Sequence, residues 1–417
     1  MTNIAQGQAV RNINFKNTKT KKMKKYLLSL ALMAMGSTLL TGCLGDDSNN
    51  NTPAEVPVTK GVFIINNGSA SNSIDGSLTY INYATMTPSA QQNVYQMVNG
   101  ESLGGTANDV LVYGQKVYII GFDENIIFVL DARNSKELKK VSTIDLLGEA
   151  DGKGPRRLAA FDGKVYFTTY GNGDKGSVAA IDTTSFALQK QYQVGSHPEG
   201  LTFGIDDANI VTLYVANSDW SMGNGSISKI DITSGSVTNS EFEKVKNPQE
   251  IAVAGDVLYV LDYGHYDEAY NQTDAGVYKI SGNSVSLVVN NATGMAAAGF
   301  YIYTFNDPFG GTTGPSYSIY DIRSNSTAKL NLSGDSDHPI FSPRAIAVDP
   351  NTGNIFIASR QKDPDTGYPA YAMSGFVNVY QGYGPNANPG QFVESFQTGV
   401  EPRKIEFVHG TAKIQFQ

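Results

Sequence analysis

Residues 247–281 read NPQEIAVAGDVLYVLDYGHYDEAYNQTDAGVYKIS. Pro248 closes a turn, Ile251, Ala252 and Val253 make a short apolar run, and Gly255-Asp256 marks a second turn. An alternating strand through Leu258 and Val260 follows, then a polar, aromatic-rich excursion over 262–276, then a third strand at Val277, Tyr278, Lys279 and Ile280. Period-two alternation broken by turn residues that tolerate positive φ predicts antiparallel strands joined by tight hairpins.

A sheet of about four strands cannot cover both of its faces alone, so a recurring unit of roughly 40–50 residues must stack on copies of itself. Copies are present. GTANDVLVYGQKVYIIG begins at Gly105, GPRRLAAFDGKVYFTTYG at Gly154, HPEGLTFGIDDANIVTLYVAN at His197, ATGMAAAGFYIYTFND at Ala292, SPRAIAVDPNTGNIFIASR at Ser342 and EPRKIEFVHGTAKIQF at Glu401. The periodicity predicts an all-β chain, a seven-bladed β-propeller of four-stranded antiparallel blades. KGVFIINNG, from Lys60, and GSLTYINY, from Gly76, read as second and third strands with no first strand before them, whereas EPRKIEFV is a first strand with no third after it. The two ends therefore close the ring in one shared blade, which removes exposed sheet edges. TAKIQFQ at the terminus competes for the position given to VFIINNG, and the sequence leaves that choice open.

The amino-terminal segment is of another kind. Lys21, Lys22, Lys24 and Lys25 precede an apolar run over 26–40, and Leu40-Thr41-Gly42-Cys43 closes it. This resembles a bacterial lipoprotein signal with its lipobox, so residues 1–42 are expected to be a signal peptide and Cys43 the lipidated first residue. Met23 is the better-placed start, which would make 1–22 an over-long reading of the gene. Residues 43–59 (CLGDDSNNNTPAEVPVT) read as a flexible tether and 60–417 as the propeller.

Cys43 is the only cysteine, so no intrachain disulfide can form and the fold rests on burial. The formal charge is −8; residues 1–42 hold seven basic side chains and no acidic one, leaving 24 Lys and Arg against 39 Asp and Glu, or −15, in the mature chain. That sign argues against nucleic acid and against adsorption to anionic lipid, both of which need Lys and Arg. The membrane would be met through the lipid alone.

Connections between second and third strands, and those between blades, emerge on one propeller face. The long ones, 66–76, 170–176, 217–225, 262–276, 306–316 and 360–375, fall there, while 161–163 and 254–256 on the other face are short. The long set carries Tyr170, Trp220, Tyr263, Tyr266, Tyr270, Phe309, Tyr368 and Tyr371, with Asn67, Asn172, Asn217, Asp219, Asp262, His265, Gln272 and Arg360. Tyr and Trp offer a flat apolar face with a polar tip, suited to a large, partly polar organic ligand. A second set lies at the start of the inner strands: Arg156, Arg157, His197, Glu199, Gln249, Glu250, Arg344 and Arg403. Two roles are open to it, pairing with the neighbouring blade or lining the channel mouth for a ligand.

Other chemistries lack their residues. His197, His265, His338 and His409 lie in different repeats with no second His or Cys at ligand spacing, so no metal site is expected. No G-x-S-x-G, P-loop or Rossmann turn occurs, and Asp206-Asp207 and Asp335 with Asp337 read as turn formers. The single Trp excludes the repeated Trp pattern of quinoprotein propellers.

The inner-strand prolines Pro198, Pro248, Pro343 and Pro402, the pairs Val117-Tyr118 and Val165-Tyr166, Leu213-Tyr214-Val215 and Leu258-Tyr259-Val260, and Ile181-Asp182 and Ile230-Asp231 together resemble the YncE-like seven-bladed propellers. With the lipobox and Asp46-Asp47, an acidic pair like the export signal of some surface lipoproteins, the chain is similar to the BtuG family. That resemblance implies a non-enzymatic outer-membrane lipoprotein, exposed at the cell surface. It would capture cobalamin, as ligand rather than cofactor, and pass it to a TonB-dependent BtuB-type transporter. No motif transfers individual ligand residues, so the candidates rest on loop position: Asn67, Arg156, Tyr170, His197, Asn217, Trp220, Tyr263, His265, Tyr266, Phe309, Arg344, Arg360, Tyr368 and Arg403. The other readings are a glycan- or protein-binding component of a nutrient-uptake complex, and a lactonase-like or quinoprotein-like enzyme.

Overall fold

A computed structural model describes residues 54–414 apart from 134–137, 147–151, 172–174, 207, 220–222, 270, 308–313 and 384–387. Cys43 with the whole leader, Asn172, Trp220, Tyr270 and Phe309 lie outside the described residues. Seven four-stranded antiparallel sheets follow one another along the chain. We number the blades from the amino terminus. Their inner strands are Pro402–Ile414 in blade 1, then Ala107–Tyr113, Pro155–Phe161, Pro198–Ile205, Pro248–Ala254, Gly294–Ala298 and Ser342–Val348 in blades 2 to 7.

The second strand of each blade is apolar without alternation, as in Lys116–Gly121 (KVYIIG) and Val257–Asp262 (VLYVLD), because both faces of a middle strand are covered by neighbouring blades. Outer strands such as Ser326–Lys329 face solvent and are polar. Apolar clusters fill each junction between blades. Tyr118, Ile120, Val165 and Phe167 join blades 2 and 3, and Val62, Ile64, Phe356 and Val377 join blade 1 to blade 7 and so close the circle. The turn read at Gly255-Asp256 has positive φ at both residues, 56° and 62°, the backbone that a two-residue hairpin requires.

Blade 1 unites the termini as its sequence fragments imply. Ala54–Asn66 is its second strand, between Ser77–Asn82 and the carboxy-terminal strand. Residues 409–414 do not compete for that place; they prolong the inner strand and pair with 54–59, from Thr59↔His409 to Ala54↔Ile414. Residues 54–59, assigned to the tether on their polarity and Pro57, are therefore strand. Pairing with the third strand begins only at Gly61↔Asn82, so Pro57 has a partner on one side alone, where a missing N–H is tolerated.

The loop-bearing face holds two further elements. Val94–Asn99, in the link from blade 1 to blade 2, is a short helix that buries Val94 and Tyr95. His265–Tyr266 pairs with Gln272–Thr273 as a small hairpin above blade 5. On the opposite face most turns are short, but the 381–391 connection of blade 7 is long, a departure from the expected asymmetry.

Candidate functional site at the channel mouth

In six of the seven blades the ladder between first and second strands slips at its upper end. The residues bypassed are Asn108, Arg156 with Arg157, Glu199 with Gly200, Gln249, Arg344 and Arg403. A bulge of this kind re-aims a side chain that regular pairing would hold in the sheet. Proline begins most of these strands (Pro155, Pro198, Pro248, Pro402), where a ladder about to break loses little from an absent N–H. Blade 6 pairs without a slip from Gly294↔Phe305 to Ala298↔Tyr301 and contributes no charged residue.

Three bulge residues, Arg157, Arg344 and Arg403, converge with Asp109, Glu250 and Tyr263 at the polar mouth of a central channel of about 320 Å³ whose apolar walls include Ile251, Ile346, Val348 and Phe407. At the blade 3–4 side, Arg156 Nε lies 3.0 Å from Glu199 Oε2, with both side chains largely buried. The same guanidinium stands over the rings of Phe122 and Tyr170, 5.3 and 5.0 Å from their centroids, and the Tyr170 hydroxyl donates to Glu199. His197, at φ 49°, completes this stack, with its ring 4.9 Å from Tyr170 and its Nδ1 2.7 Å from Ser196 Oγ.

At the blade 7–1 side one carboxylate serves two arginines. Glu401 Oε1 accepts from Arg344 Nε and from Arg360 Nη2, each at 2.7 Å, and Oε2 accepts from Arg360 Nε. Burial opposes its charge, yet Arg344 and Arg360 hold the Glu401 carboxyl below the usual range. Arg360 also lies 4.5 Å below the ring of Tyr371. Asn67 donates its N–H to the Glu401 carbonyl at 2.9 Å, and its buried Oδ1 has no hydrogen-bond partner among the described residues.

Arg157 and Arg403 occupy the mouth itself. Arg157 Nη1 donates to the Asn108 carbonyl at 3.0 Å; burial works against its charge, but Asp109, Glu199 and Glu250 outweigh it and raise its pKa. Arg403 makes neither a hydrogen bond nor an ion pair among the described residues. Arg344 first and then burial depress its pKa; Tyr263 opposes them, Arg157 adds to the lowering, and Glu401 opposes it least.

Of the loop aromatics, Tyr263 reaches the channel, Tyr266 is partly exposed, and Tyr368 and Tyr371 are 73% and 51% exposed. His265 sits beside Thr273, 3.4 Å from the Asp274 carboxylate, on the hairpin above blade 5. An outer cavity of about 540 Å³ lies on the same face between His338, Phe341, Lys362 and Phe376. Asn217 does not belong to this surface. It is 1% exposed and donates to Ser226 and Ser228 inside blade 4, as Asn66 does to Ser77 and Thr79 inside blade 1. Asp262 is likewise internal and accepts from the N–H groups of Lys246, Asn247 and Gly264. Phe122, Tyr170 and Tyr263 share the position that follows a second strand; Tyr263 lines the channel, and Phe122 and Tyr170 pack on Arg156.

The sequence reading missed Phe122, Asn108, Asp109 and Glu401. Aligning the repeats one residue past the second strand finds Phe122, and aligning them one residue before the inner-strand proline sets Glu401 beside His197 and Gly154, all three with positive φ. Among the described residues no three His, Cys, Asp or Glu side chains are grouped to hold a metal ion.

Neither the family models nor the curated proteins match this chain. Solved structures do. A hypothetical selenium-binding protein from Sulfolobus tokodaii superposes with a TM-score of 0.60 at 12% identity, over 84% of this chain and 94% of that one. A protein from Bacteroides uniformis, provisionally assigned as a 6-phosphogluconolactonase, superposes with a TM-score of 0.54 at 14% identity, over 85% of this chain and all of that one. At such identities the likeness is one of fold, and it places the chain among seven-bladed β-propellers.

Proposed function

We propose that the loop-bearing face captures a bulky, partly polar organic guest, with a corrinoid such as cobalamin as first candidate. In this reading the mature chain is anchored through Cys43 at the outer-membrane surface and hands the guest to a TonB-dependent, BtuB-type transporter. The observation that carries it is the concentration of rings and guanidinium groups on this face: Phe122 and Tyr170 pack on Arg156, Tyr371 on Arg360, and Tyr263 lines the channel with Arg344 and Arg403. Flat aromatic faces and fixed donor forks suit a large ring system edged with amides and acids. Two of the carboxylates there, Glu199 and Glu401, are committed to arginines, which fixes the donor forks in place.

Isothermal titration of the mature chain with cobalamin should show saturable binding and co-elution on size exclusion. Tyr263→Ala should weaken it by about 2 kcal/mol if that ring is a hot spot, roughly 30-fold. Neither heat nor co-elution would remove the corrinoid, and retention on a polysaccharide column with cobalamin inert would favour a glycan guest. Loss of palmitate labelling in Cys43→Ser tests the anchor.

A further inference from the structure

The blade 7–1 side of the mouth has more cations than it can answer. Glu401 is shared by Arg344 and Arg360, Asp109 and Glu250 lie with Arg157, and Arg403 has no direct partner among the described residues. A guanidinium cannot shed its proton at physiological pH, so a crowded, partly buried one remains as an unmet electrostatic demand. The mature chain carries a formal −15, so a local excess of positive charge here runs against the rest of the molecule. The channel beneath has about 320 Å³ of space, room for a compact ligand group.

We propose that Arg403, with Arg344 and Arg157 beside it, forms a subsite for a compact oxyanion, a carboxylate or phosphate group, entering from the loop-bearing face. This deepens the reading of that face as the ligand face, but it does not require the guest to be a corrinoid. Arginine forks bind such groups with two parallel N–H donors, and an anion seated there would be attracted by all three guanidinium groups together. Asp109 and Glu250 offset the charge of Arg157 and repel an anion beside it, which sets Arg403 rather than Arg157 at the centre of the subsite.

The test is thermal unfolding of the mature chain in sodium phosphate, sodium acetate and sodium chloride at one ionic strength. Phosphate should raise Tm by roughly 2 °C or more over chloride. Arg403→Gln should lose most of that rise while unfolding in chloride no earlier than the parent, because an unanswered charge has been removed. No phosphate effect in the parent, or an equal effect in both proteins, overturns the proposal; so does an Arg403→Gln protein that unfolds much earlier in chloride yet keeps its phosphate response. Should Arg403→Gln not fold, the Nε–Hε resonances of the parent decide. Phosphate must shift that of Arg403 while leaving Arg133 and Arg323, already paired with Asp131 and Asp321, in place. Competition between phosphate and cobalamin assigns the subsite to a group borne by the guest, and independent binding assigns it to a free anion. Cobalamin inert with the phosphate response intact removes the corrinoid alone; cobalamin retained with no phosphate response removes the subsite alone.

Discussion

The two sides of the channel mouth are built from the same parts and balanced differently. Where blades 3 and 4 meet, Glu199 forms an ion pair with one arginine, Arg156, at 3.0 Å, and Arg156 packs against Phe122 and Tyr170. Where blades 7 and 1 meet, Glu401 answers both Arg344 and Arg360, and Arg403 is left to the channel. The ladder slips on both sides, past two residues in blades 3 and 4 and past one in blades 7 and 1, so the difference starts in the backbone and is completed by side-chain chemistry. A matched pair ties one blade to the next. A shared carboxylate with a spare guanidinium ties them while reserving a charge for a ligand.

The largest effect that could break this comparison is the loss of Glu401. Removing one partner of a buried charge network strands the rest, typically at about 3–5 kcal/mol, and here Glu401→Gln strands two arginines beside a third. Urea denaturation should show a loss of at least about 3 kcal/mol. Glu199→Gln strands Arg156 alone, whose rings remain over it, and should lose about 1–3 kcal/mol. An equal or larger loss for Glu199→Gln would make the blade 3–4 side the keystone and undo the contrast.

A smaller effect sharpens it through pH. Glu406, on the inner strand of blade 1, accepts the Val112 N–H of blade 2 at 2.9 Å, and burial above all raises its carboxyl to about 7. The folded protein therefore takes up this proton more readily than the unfolded chain, and Glu406 adds stability as pH falls from about 7 towards 4.5. Glu401 has the opposite sign: its lowered pKa stabilises the fold at neutral pH, and that contribution is lost as acid protonates it below about 4.5. Glu406→Gln should flatten the stability profile between pH 4.5 and 7, removing a gain on the order of 1–2 kcal/mol, and leave the acid limb in place. Denaturation midpoints measured across that range check it, and an unchanged slope would show that Glu406 is already solvated.

The ring was legible because blades repeat. The apolar middle strands, the Gly-Asp hairpins and the two incomplete ends are local patterns, and local patterns survive in sequence. Asn217 and Asp262 show where that reading stops. Each looked like a ligand group at the head of a long loop, yet it is the last residue of a second strand and turns into its own blade. Asn67, one residue further on in blade 1, reaches the mouth. Strand ends decide which way such a residue points, and ends shift by a residue or two in any sequence reading. Residues 54–59 failed for another reason: Asn-rich surroundings and Pro57 say tether, and only the distant partners 409–414 make them strand. Glu401 and Phe122 escaped because their roles arise from packing between blades, which a single repeat does not display.

The smallest expected effect concerns Tyr371. Its ring is half exposed and caps Arg360, which is already held by Glu401. A cation–π contact at an exposed ring contributes about 0.5–1 kcal/mol, so Tyr371→Ala should cost no more than that in urea denaturation. Its counterpart Tyr170 lies between Arg156 and His197 and donates to Glu199, so Tyr170→Ala should cost clearly more, about 3 kcal/mol, because it also opens a cavity. The pair of values asks whether the 361–373 loop is an open arm over the unbalanced side or a lid that the fold depends on. A loss for Tyr371→Ala as large as that for Tyr170→Ala would make it a lid, with Arg360 fixed from above as firmly as Arg156. A small loss leaves Tyr368 and Tyr371 free to close on a guest, as the contrast between the two sides requires.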